Sequence, residues 1–338
     1  MTKDVRVIIV GFGAIGKGVA SALLLKNEEL ARNYGISVRV VGICEYNGCI
    51  LNKEGIALGE VLQLASAGKL SEHPNWSTQK STDAIREAEA DATIEVTPGN
   101  IQTGEPGLAN ILAALDSGKH VITSNKSPIA LRFWELTKRA EEKNLQLKYE
   151  ATVCGGMPTF NMAKSALQAN RILSIRGILN GTTNFILTKM HEENLSFASA
   201  LQQAKEQSIA EPDPTYDVEA IDPAVKLVIL ASALVNSKKT YADVKRVGIT
   251  QITPEAVALA KENGFRIKLI GEIDENGNLS VAPRLIPHSH PLNVSGTLNA
   301  LMLKTDMARE VFVMGRGAGP METSSSILSD LVSIFAEK

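Results

Sequence analysis

Two hydrophobic patterns alternate along the first 150 residues of the chain. Short continuous apolar runs, of which VRVIIV at residues 5–10 is the first, precede longer segments in which apolar positions recur every three or four residues. The first pattern is typical of strands buried on both faces of a parallel sheet, and the second predicts helices that cover the sheet. We therefore expect an α/β domain with a doubly wound parallel sheet in residues 1–150.

A different pattern begins after residue 150. An almost wholly apolar helix candidate, LVILASALV, is followed by the strand candidates FRIKLIGEID and LSVAPRLIP, which the hairpin signal Glu275-Asn276-Gly277 joins. This α+β pattern predicts a second domain in residues 151–304. We expect the last helix, within residues 305–338, to complete the first domain.

Composition narrows the class of protein. The 338 residues carry a formal net charge of −2 and are 44% hydrophobic, which indicates two globular cores and gives no reason to expect a nucleic-acid partner. The apolar runs are shorter than the roughly 20 residues of a membrane-spanning helix, and the first residues lead into a strand rather than a signal peptide. Cys44, Cys49 and Cys154 show neither a disulfide framework nor metal-ligand spacing, so we expect a cytoplasmic protein without a membrane partner.

The first strand leads directly into Gly11-Phe12-Gly13-Ala14-Ile15-Gly16, which opens a helix. Gly11 permits a tight turn, Gly13 lets a pyrophosphate approach the backbone, and Gly16 lets the helix pack closely on the strand. The phosphates then lie at the helix N-terminus, where backbone N–H groups are available. This context predicts a Rossmann-type dinucleotide-binding domain with residues 11–16 at the cofactor.

The second strand, SVRVVGICE, ends at Glu45, whose carboxylate can accept hydrogen bonds from the ribose hydroxyls of NAD. No arginine follows in EYNGCI to hold a 2′-phosphate. The sequence therefore favours NAD over NADP, although a more distant cation such as Lys53 could still reach a phosphate.

Two further residues follow predicted strands at the sheet edge where ligands bind in doubly wound folds. Thr97 comes after the strand ATIEV, and Lys126 comes after HVITS and before a helix. We expect both to reach the ligand. The alternative for Lys126 is a solvated loop lysine, and its position alone does not decide between the two.

Residues 208–226, SIAEPDPTYDVEAIDPAVK, bring the acidic residues Glu211, Asp213, Asp217 and Asp222, among others, close to a lysine in sequence. Asp222-Pro223 predicts an N-cap followed by proline at the first helical position, which places Lys226 in the first turn of an apolar helix. There the helix dipole and burial both disfavour the ammonium, so we expect a lowered pKa for Lys226. The alternative is that Asp222 only caps the helix and that Lys226 extends to water.

Six motifs in this order, GFGAIGKG, ITSNK, YEATVCGG, ILNGTTNFIL, AEPDPTYDVEAIDPAVKL and GRGAGPMETSSSILSDL, resemble those of homoserine dehydrogenase over nearly the whole chain. The resemblance implies NAD(P)-dependent interconversion of L-homoserine and L-aspartate 4-semialdehyde, in threonine and methionine biosynthesis. It also implies a homodimer formed through the middle of the chain.

The resemblance also implies roles for single residues. Lys226 matches the family's catalytic proton donor and Lys126 its second active-site lysine. The positions around the substrate are Glu211, Asp222, Asp217 and Thr182. The cofactor contacts are Thr97 and the glycines at 11, 13 and 16, with Gly317 or Gly319 near the nicotinamide. In many members a sodium ion is held by a glutamate and three carbonyls, here those of Glu150, Val153, Gly155 and Met157.

The chain departs from the family pattern in places. Ser208-Ile209-Ala210-Glu211 stands where GYAE is common, so a tyrosine near the substrate is missing at Ile209. Ala220 and Pro223 replace the usual glycine and alanine. We also expect a short form, without the regulatory ACT domain or the aspartate kinase of longer members.

Two rival functions use the same nucleotide domain. A phosphorylating semialdehyde dehydrogenase would use Cys154 as its thiolate nucleophile and would require a histidine partner, for which His120 and His191 are distant in sequence. A non-catalytic sensor of NAD(H) would account for the glycines but not for Lys226 beside three carboxylates.

Overall fold

A computed structural model describes residues 2–336, which form two compact units. The first unit extends to Gly156 and resumes at Gly319, and the second is Met157–Ala318. No helix in the described part of the chain combines the length and the apolar character that crossing a membrane requires.

The first unit contains a seven-stranded sheet in the order β4-β3-β2-β1-β5-β6-β7. The parallel strands β2, β1, β5, β6 and β7 are consecutive neighbours, and β3 and β4 add an antiparallel edge. The strands are β1 (Lys3–Val10), β2 (Ile36–Glu45), β3 (Gly48–Leu51), β4 (Trp76–Ser77), β5 (Ala92–Glu95), β6 (His120–Thr123) and β7 (Leu147–Lys148). The continuous apolar run of β1 is explained by its central position, because Val7, Ile8 and Ile9 are all fully buried.

Helices pack on this sheet. They are α1 (Ala14–Tyr34), α2 (Leu58–Ser66), α3 (Ser81–Glu87), α4 (Gly107–Asp116) and α5 (Lys126–Glu142). The last helix, α12 (Pro320–Phe335), packs on α1, and Ile327 and Leu331 join the core of the first unit. The predicted Rossmann-type doubly wound domain is thereby confirmed.

The second unit contains a six-stranded sheet in the order β13-β12-β8-β10-β11-β9. Its strands are β8 (Ile172–Ile178), β9 (Lys245–Arg246), β10 (Phe265–Ile273), β11 (Leu279–Pro287), β12 (Leu298–Thr305) and β13 (Glu310–Arg316). Its helices are α6 (Thr159–Asn161), α7 (Gly181–Glu193), α8 (Phe197–Glu206), α9 (Thr215–Val218), α10 (Ile221–Val235) and α11 (Pro254–Glu262). The hairpin predicted around Gly277 joins β10 to β11.

The boundaries of the units differ from those expected from the sequence. Residues 305–318 belong to the second unit because β13 forms an antiparallel hairpin with β12. The segment that returns to the first unit therefore begins at Gly319 rather than at residue 305.

Candidate active site

The glycine turn between β1 and α1 has the geometry that its sequence suggests. Gly11 has φ +95°, and a Cβ there would lie 2.9 Å from the backbone of Val96 and Thr97. A Cβ on Gly16 would collide with the carbonyl of Gly11, whereas the space around Gly13 is open. Gly11 and Gly16 thus close the turn, and Gly13 leaves room for a phosphate at the start of α1.

A cavity of about 400 Å³ opens above this turn, at the carboxyl ends of the parallel strands. It is lined by Gly11, Phe12, Gly13, Ala14, Ile15, Glu45, Val96, Thr97, Pro98, Gly99, Ser124, Asn125 and Lys126. Seven of the positions predicted to contact a dinucleotide before residue 100 therefore face one cavity, and Lys126 joins them from the start of α5.

Three of the predicted cofactor residues lie elsewhere among the described residues. Gly16 packs α1 against the turn and does not line the cavity. Gly317 adjoins Asn299 in the second unit. Gly319, with φ +129°, precedes α12 in the first unit. Neither of the last two lines this cavity.

A cluster of polar side chains in the second unit forms around Lys226. The ammonium of this lysine donates to the Leu179 carbonyl at 2.7 Å and forms an ion pair with Asp222 at 2.8 Å. Asn180 donates to Asp222 at 2.9 Å and to Asp217 at 2.6 Å. The side chains of Lys226 and Asp222 are 10% and 8% exposed, so the ion pair is largely removed from water.

The predicted cap of α10 is wrong. The helix begins at Ile221, after Ala220 in the left-handed conformation, so Asp222 lies inside the first turn and is not the N-cap residue. Its carboxylate is instead used by Asn180 and Lys226. Pro223 is accommodated because the first four N–H groups of a helix have no partner within the helix. Lys226 consequently lies one turn beyond Asp222 and not in the first turn.

The other predicted substrate residues, Asp217, Thr182 and Glu211, differ in burial and in hydrogen bonding. Burial raises the pKa of Asp217, and the neighbouring Asp222 raises it further, while Asn180, Lys226 and Thr182 oppose the shift. The Thr182 hydroxyl donates to the carbonyl of Ile209 at 3.1 Å. Glu211 is exposed, two residues beyond Ile209.

The loop expected to hold sodium lies at the end of the first stretch of the first unit. Glu150 is 3% exposed, and its N–H donates to the buried carboxylate of Asp330 on α12. The carbonyl of Gly155 accepts from the Ser326 hydroxyl at 2.6 Å. Cys154, between the predicted carbonyl ligands, is buried with φ +58°.

Two residues of these clusters were not predicted from the sequence. Asn180 donates to the carboxylates of Asp217 and Asp222. Glu95, beside the cavity, accepts from Thr97 and Thr123 in the segments that follow β5 and end β6. For Glu95 the available signal was a charged residue at the end of the apolar strand ATIEV. For Asn180 it was an asparagine at the start of a predicted helix, which indicates a cap but not a second partner.

Two family models match the chain. The model of homoserine dehydrogenase matches residues 158–332, and that of the homoserine dehydrogenase NAD binding domain matches residues 11–150. Together they cover most of both units.

Individual relatives agree with the family models. The chain is 49% identical to homoserine dehydrogenase of Methanocaldococcus jannaschii, over 97% of this chain and 98% of that protein. It is 36% identical to the NAD(+)-dependent homoserine dehydrogenase of Pseudomonas canavaninivorans, over 98% and 96%. A hyperthermophilic archaeal homoserine dehydrogenase solved in complex with NADPH has a TM-score of 0.85 and 28% identity, over 98% of this chain and 97% of that one.

Proposed function

The chain belongs to the homoserine dehydrogenase family. On that basis we propose which of its side chains bind the coenzyme, bind the substrate and transfer the proton. The reaction is the NAD(P)-dependent interconversion of L-homoserine and L-aspartate 4-semialdehyde. The Rossmann-type unit binds the nucleotide, and the cluster around Lys226 handles the substrate.

Lys226 is the proton donor in the proposed mechanism. Bound NAD(P) supplies or accepts the hydride. When the aldehyde is reduced, negative charge develops on its oxygen, and Lys226 transfers a proton to that oxygen. In the oxidation of homoserine the same amine accepts the hydroxyl proton. The observation that carries this assignment is the buried ion pair of Lys226 with Asp222, held by Asn180.

The acidic residues of the cluster bind the amino group of the substrate. Asp217 and Asp222 accept from the same Asn180 amide, so their carboxylates lie on one side of the α7 N-terminus. Glu211 and Thr182 complete the proposed substrate set. Lys126 is the second active-site lysine, and its place on the cavity wall supports a position near the coenzyme.

We propose that NAD is preferred over NADP. Glu45 ends β2 and lines the cavity together with the glycine turn, where a carboxylate accepts from ribose hydroxyls and repels a 2′-phosphate. Thr97 and residues 11–15 contribute the remaining nucleotide contacts of the first unit, and Gly317 and Gly319 are proposed to lie near the nicotinamide.

A sodium ion at Glu150 is a further proposal. Two buried carboxylates, those of Glu150 and Asp330, occur in this loop region, and a cation offsets buried negative charge. The carbonyls of Val153 and Gly155 supply hard oxygen ligands of the kind that such a cation prefers. Met157, the fourth predicted ligand, begins the second unit.

We also propose a homodimer in the cytoplasm. The compartment is supported by the three cysteines, which are buried and form no disulfide within residues 2–336, as expected under reducing conditions. Light scattering tests the dimer, for which the expected mass is twice that of the 36.2 kDa chain.

Homoserine-dependent reduction of NAD, with and without phosphate, tests the proposed function. We expect equal rates in both buffers and retention of activity in Cys154→Ala, because the Cys154 side chain is buried and does not act as a nucleophile. Oxidation of aspartate semialdehyde that requires phosphate and disappears in Cys154→Ala would instead assign the phosphorylating reaction.

A further inference from the structure

Strand β5 ends in a glutamate that lies next to the coenzyme cavity without lining it. Glu95 is the last residue of β5, and its side chain is fully buried, whereas Val96 and Thr97 line the cavity. Burying an ionisable group is unfavourable unless hydrogen bonds compensate the lost hydration. The groups that Glu95 bonds therefore indicate why it is there.

One carboxylate oxygen of Glu95 holds the loop after β5. Oε1 accepts from the backbone N–H of Thr97 at 3.1 Å and from the Thr97 hydroxyl. The same stretch of backbone touches the glycine turn, since a Cβ on Gly11 would lie 2.9 Å from the Thr97 nitrogen. Glu95 thus fixes both the backbone and the side chain of a residue that faces the nucleotide.

The other carboxylate oxygen holds the turn after β6. The Thr123 hydroxyl donates a shared hydrogen bond to the Glu95 backbone carbonyl at 2.8 Å and to Oε2 at 3.2 Å, and it accepts from the N–H of Asn125 at 2.9 Å. Asn125 caps α5 by accepting from Ser127, and its amide donates to the Thr97 hydroxyl at 3.3 Å. The two loops are therefore joined in a ring of hydrogen bonds that begins and ends at Glu95.

We propose that Glu95 is a positioning residue of the coenzyme site. By accepting hydrogen bonds from Thr97 and Thr123, it holds the Thr97 loop and the turn before Lys126 in the arrangement that binds the dinucleotide. Glu95 does not touch the coenzyme. This role rests on the proposed function of the cavity as the coenzyme site. Glu95 would act there by fixing residues of the cavity wall.

The chemistry of this carboxyl suggests a matched pair of variants. Burial raises the pKa of Glu95, while the hydrogen bonds from Thr97 and Thr123 oppose the shift. Burial therefore favours the protonated, neutral carboxyl more than water does. Glutamine has a similar shape to this neutral carboxyl and still offers an oxygen to Thr97. Leucine fills a similar volume but offers no acceptor, so the Thr97 donors would be left unpaired.

The test is a fluorescence titration of NADH with wild type, Glu95→Gln and Glu95→Leu, together with the KM for homoserine at saturating coenzyme. We expect the dissociation constant to rise about tenfold or more in Glu95→Leu and to stay within about threefold in Glu95→Gln. The KM for homoserine should stay unchanged in both. Thr93→Val is the control, because this β5 hydroxyl is buried and has no hydrogen-bond partner within residues 2–336.

The outcomes separate the possible errors. Normal affinity in Glu95→Leu would overturn the positioning role, and equal losses in glutamine and leucine variants would overturn its basis in accepted hydrogen bonds. If the leucine variant does not fold, Glu95→Asp replaces it, since withdrawing the carboxylate by one methylene should also weaken NADH binding, and unchanged affinity would refute the proposal. Failure of wild type to bind NADH or NADPH would refute the coenzyme site itself, and the proposal with it.

Discussion

Asn180 connects folding and chemistry through a single side chain. Its Oδ1 accepts from the Thr183 N–H at 2.9 Å and so caps α7, while its Nδ2 donates to Asp217 and Asp222. Because the cap fixes the orientation of the amide, the two carboxylates are held relative to the helix N-terminus. Asp222 in turn pairs with Lys226, so the position of the proposed proton donor depends on a helix cap.

Substitution of Glu45 should change the coenzyme preference. Wild type should have a higher kcat/KM with NAD than with NADP, and Glu45→Gln should narrow or reverse that ratio, because the change removes the charge that repels a 2′-phosphate. Steady-state kinetics with both coenzymes measures the ratio.

Glu60→Gln is a suitable control for this experiment, since Glu60 is an exposed acid of the same unit on α2, outside the cavity wall. A higher kcat/KM with NADP in wild type would mean that another cation, such as Lys53, determines the preference.

The glycine turn and the residues at the carboxyl ends of the strands were predicted, whereas the long-range hydrogen bonds of Asn180 and Glu95 were not. The glycine turn is contiguous, so its spacing alone predicts its conformation. Asn180, in contrast, acts through carboxylates 37 and 42 positions away, and Glu95 acts through Thr123, 28 positions away. Such contacts depend on how the strands and helices pack, which periodicity does not specify.

At the scale of elements, the start of α10 shows tertiary contacts overriding a local signal. Asp-Pro is a strong cap signal, yet the Asp222 carboxylate is used by side chains from α7 and α10 itself. The N-cap position is instead occupied by Ala220, with φ +59°. The sequence predicted that a buried helix begins here. It did not predict the capping residue, because the long-range contact of Asp222 with Asn180 is not visible in the local sequence.

The end of α8 offers a stability prediction. Ser208 follows this helix with φ +56° and is exposed, although the left-handed region is unfavourable for residues with a Cβ. Ser208→Gly should increase the free energy of unfolding by about 0.5–1 kcal/mol, because glycine adopts this conformation without that cost. Urea denaturation measures the change.

Ser199→Gly is the matched control, since Ser199 is an exposed position inside the same helix. Glycine there should lower stability by a similar amount. If both substitutions lower the free energy of unfolding, the left-handed conformation of Ser208 does not destabilise the wild-type protein.

For the molecule as a whole, a lysine buried in the second unit predicts how stability varies with pH. Lys268 is 1% exposed, and its ammonium donates to the Asn184 side chain and to the Val294 carbonyl. Its pKa is lowered from 10.5 to about 7, chiefly by burial and also by the charge of Arg266, while Glu192 opposes the shift. Between these pKa values the unfolded chain binds the additional proton, so this group makes stability rise with pH from about 7 to 10.5.

Unfolding free energies at pH 7 and pH 9 of wild type and Lys268→Met test this effect. The variant should lose the rise that Lys268 contributes, whereas Lys138→Met, which removes a lysine whose side chain is 76% exposed, should retain it. Identical pH dependence in wild type and Lys268→Met would show that the buried amine does not titrate as stated.

Lys226 is the residue proposed to transfer the proton that accompanies hydride transfer. The most direct measurement is the kcat of Lys226→Ala for homoserine oxidation, made together with its NADH dissociation constant and thermal midpoint. We expect a loss of kcat by a factor of about a hundred to ten thousand, with coenzyme affinity and thermal midpoint close to wild type. A near-normal kcat with a large drop in the midpoint would contradict this role and make Lys226 a structural residue of the buried ion pair.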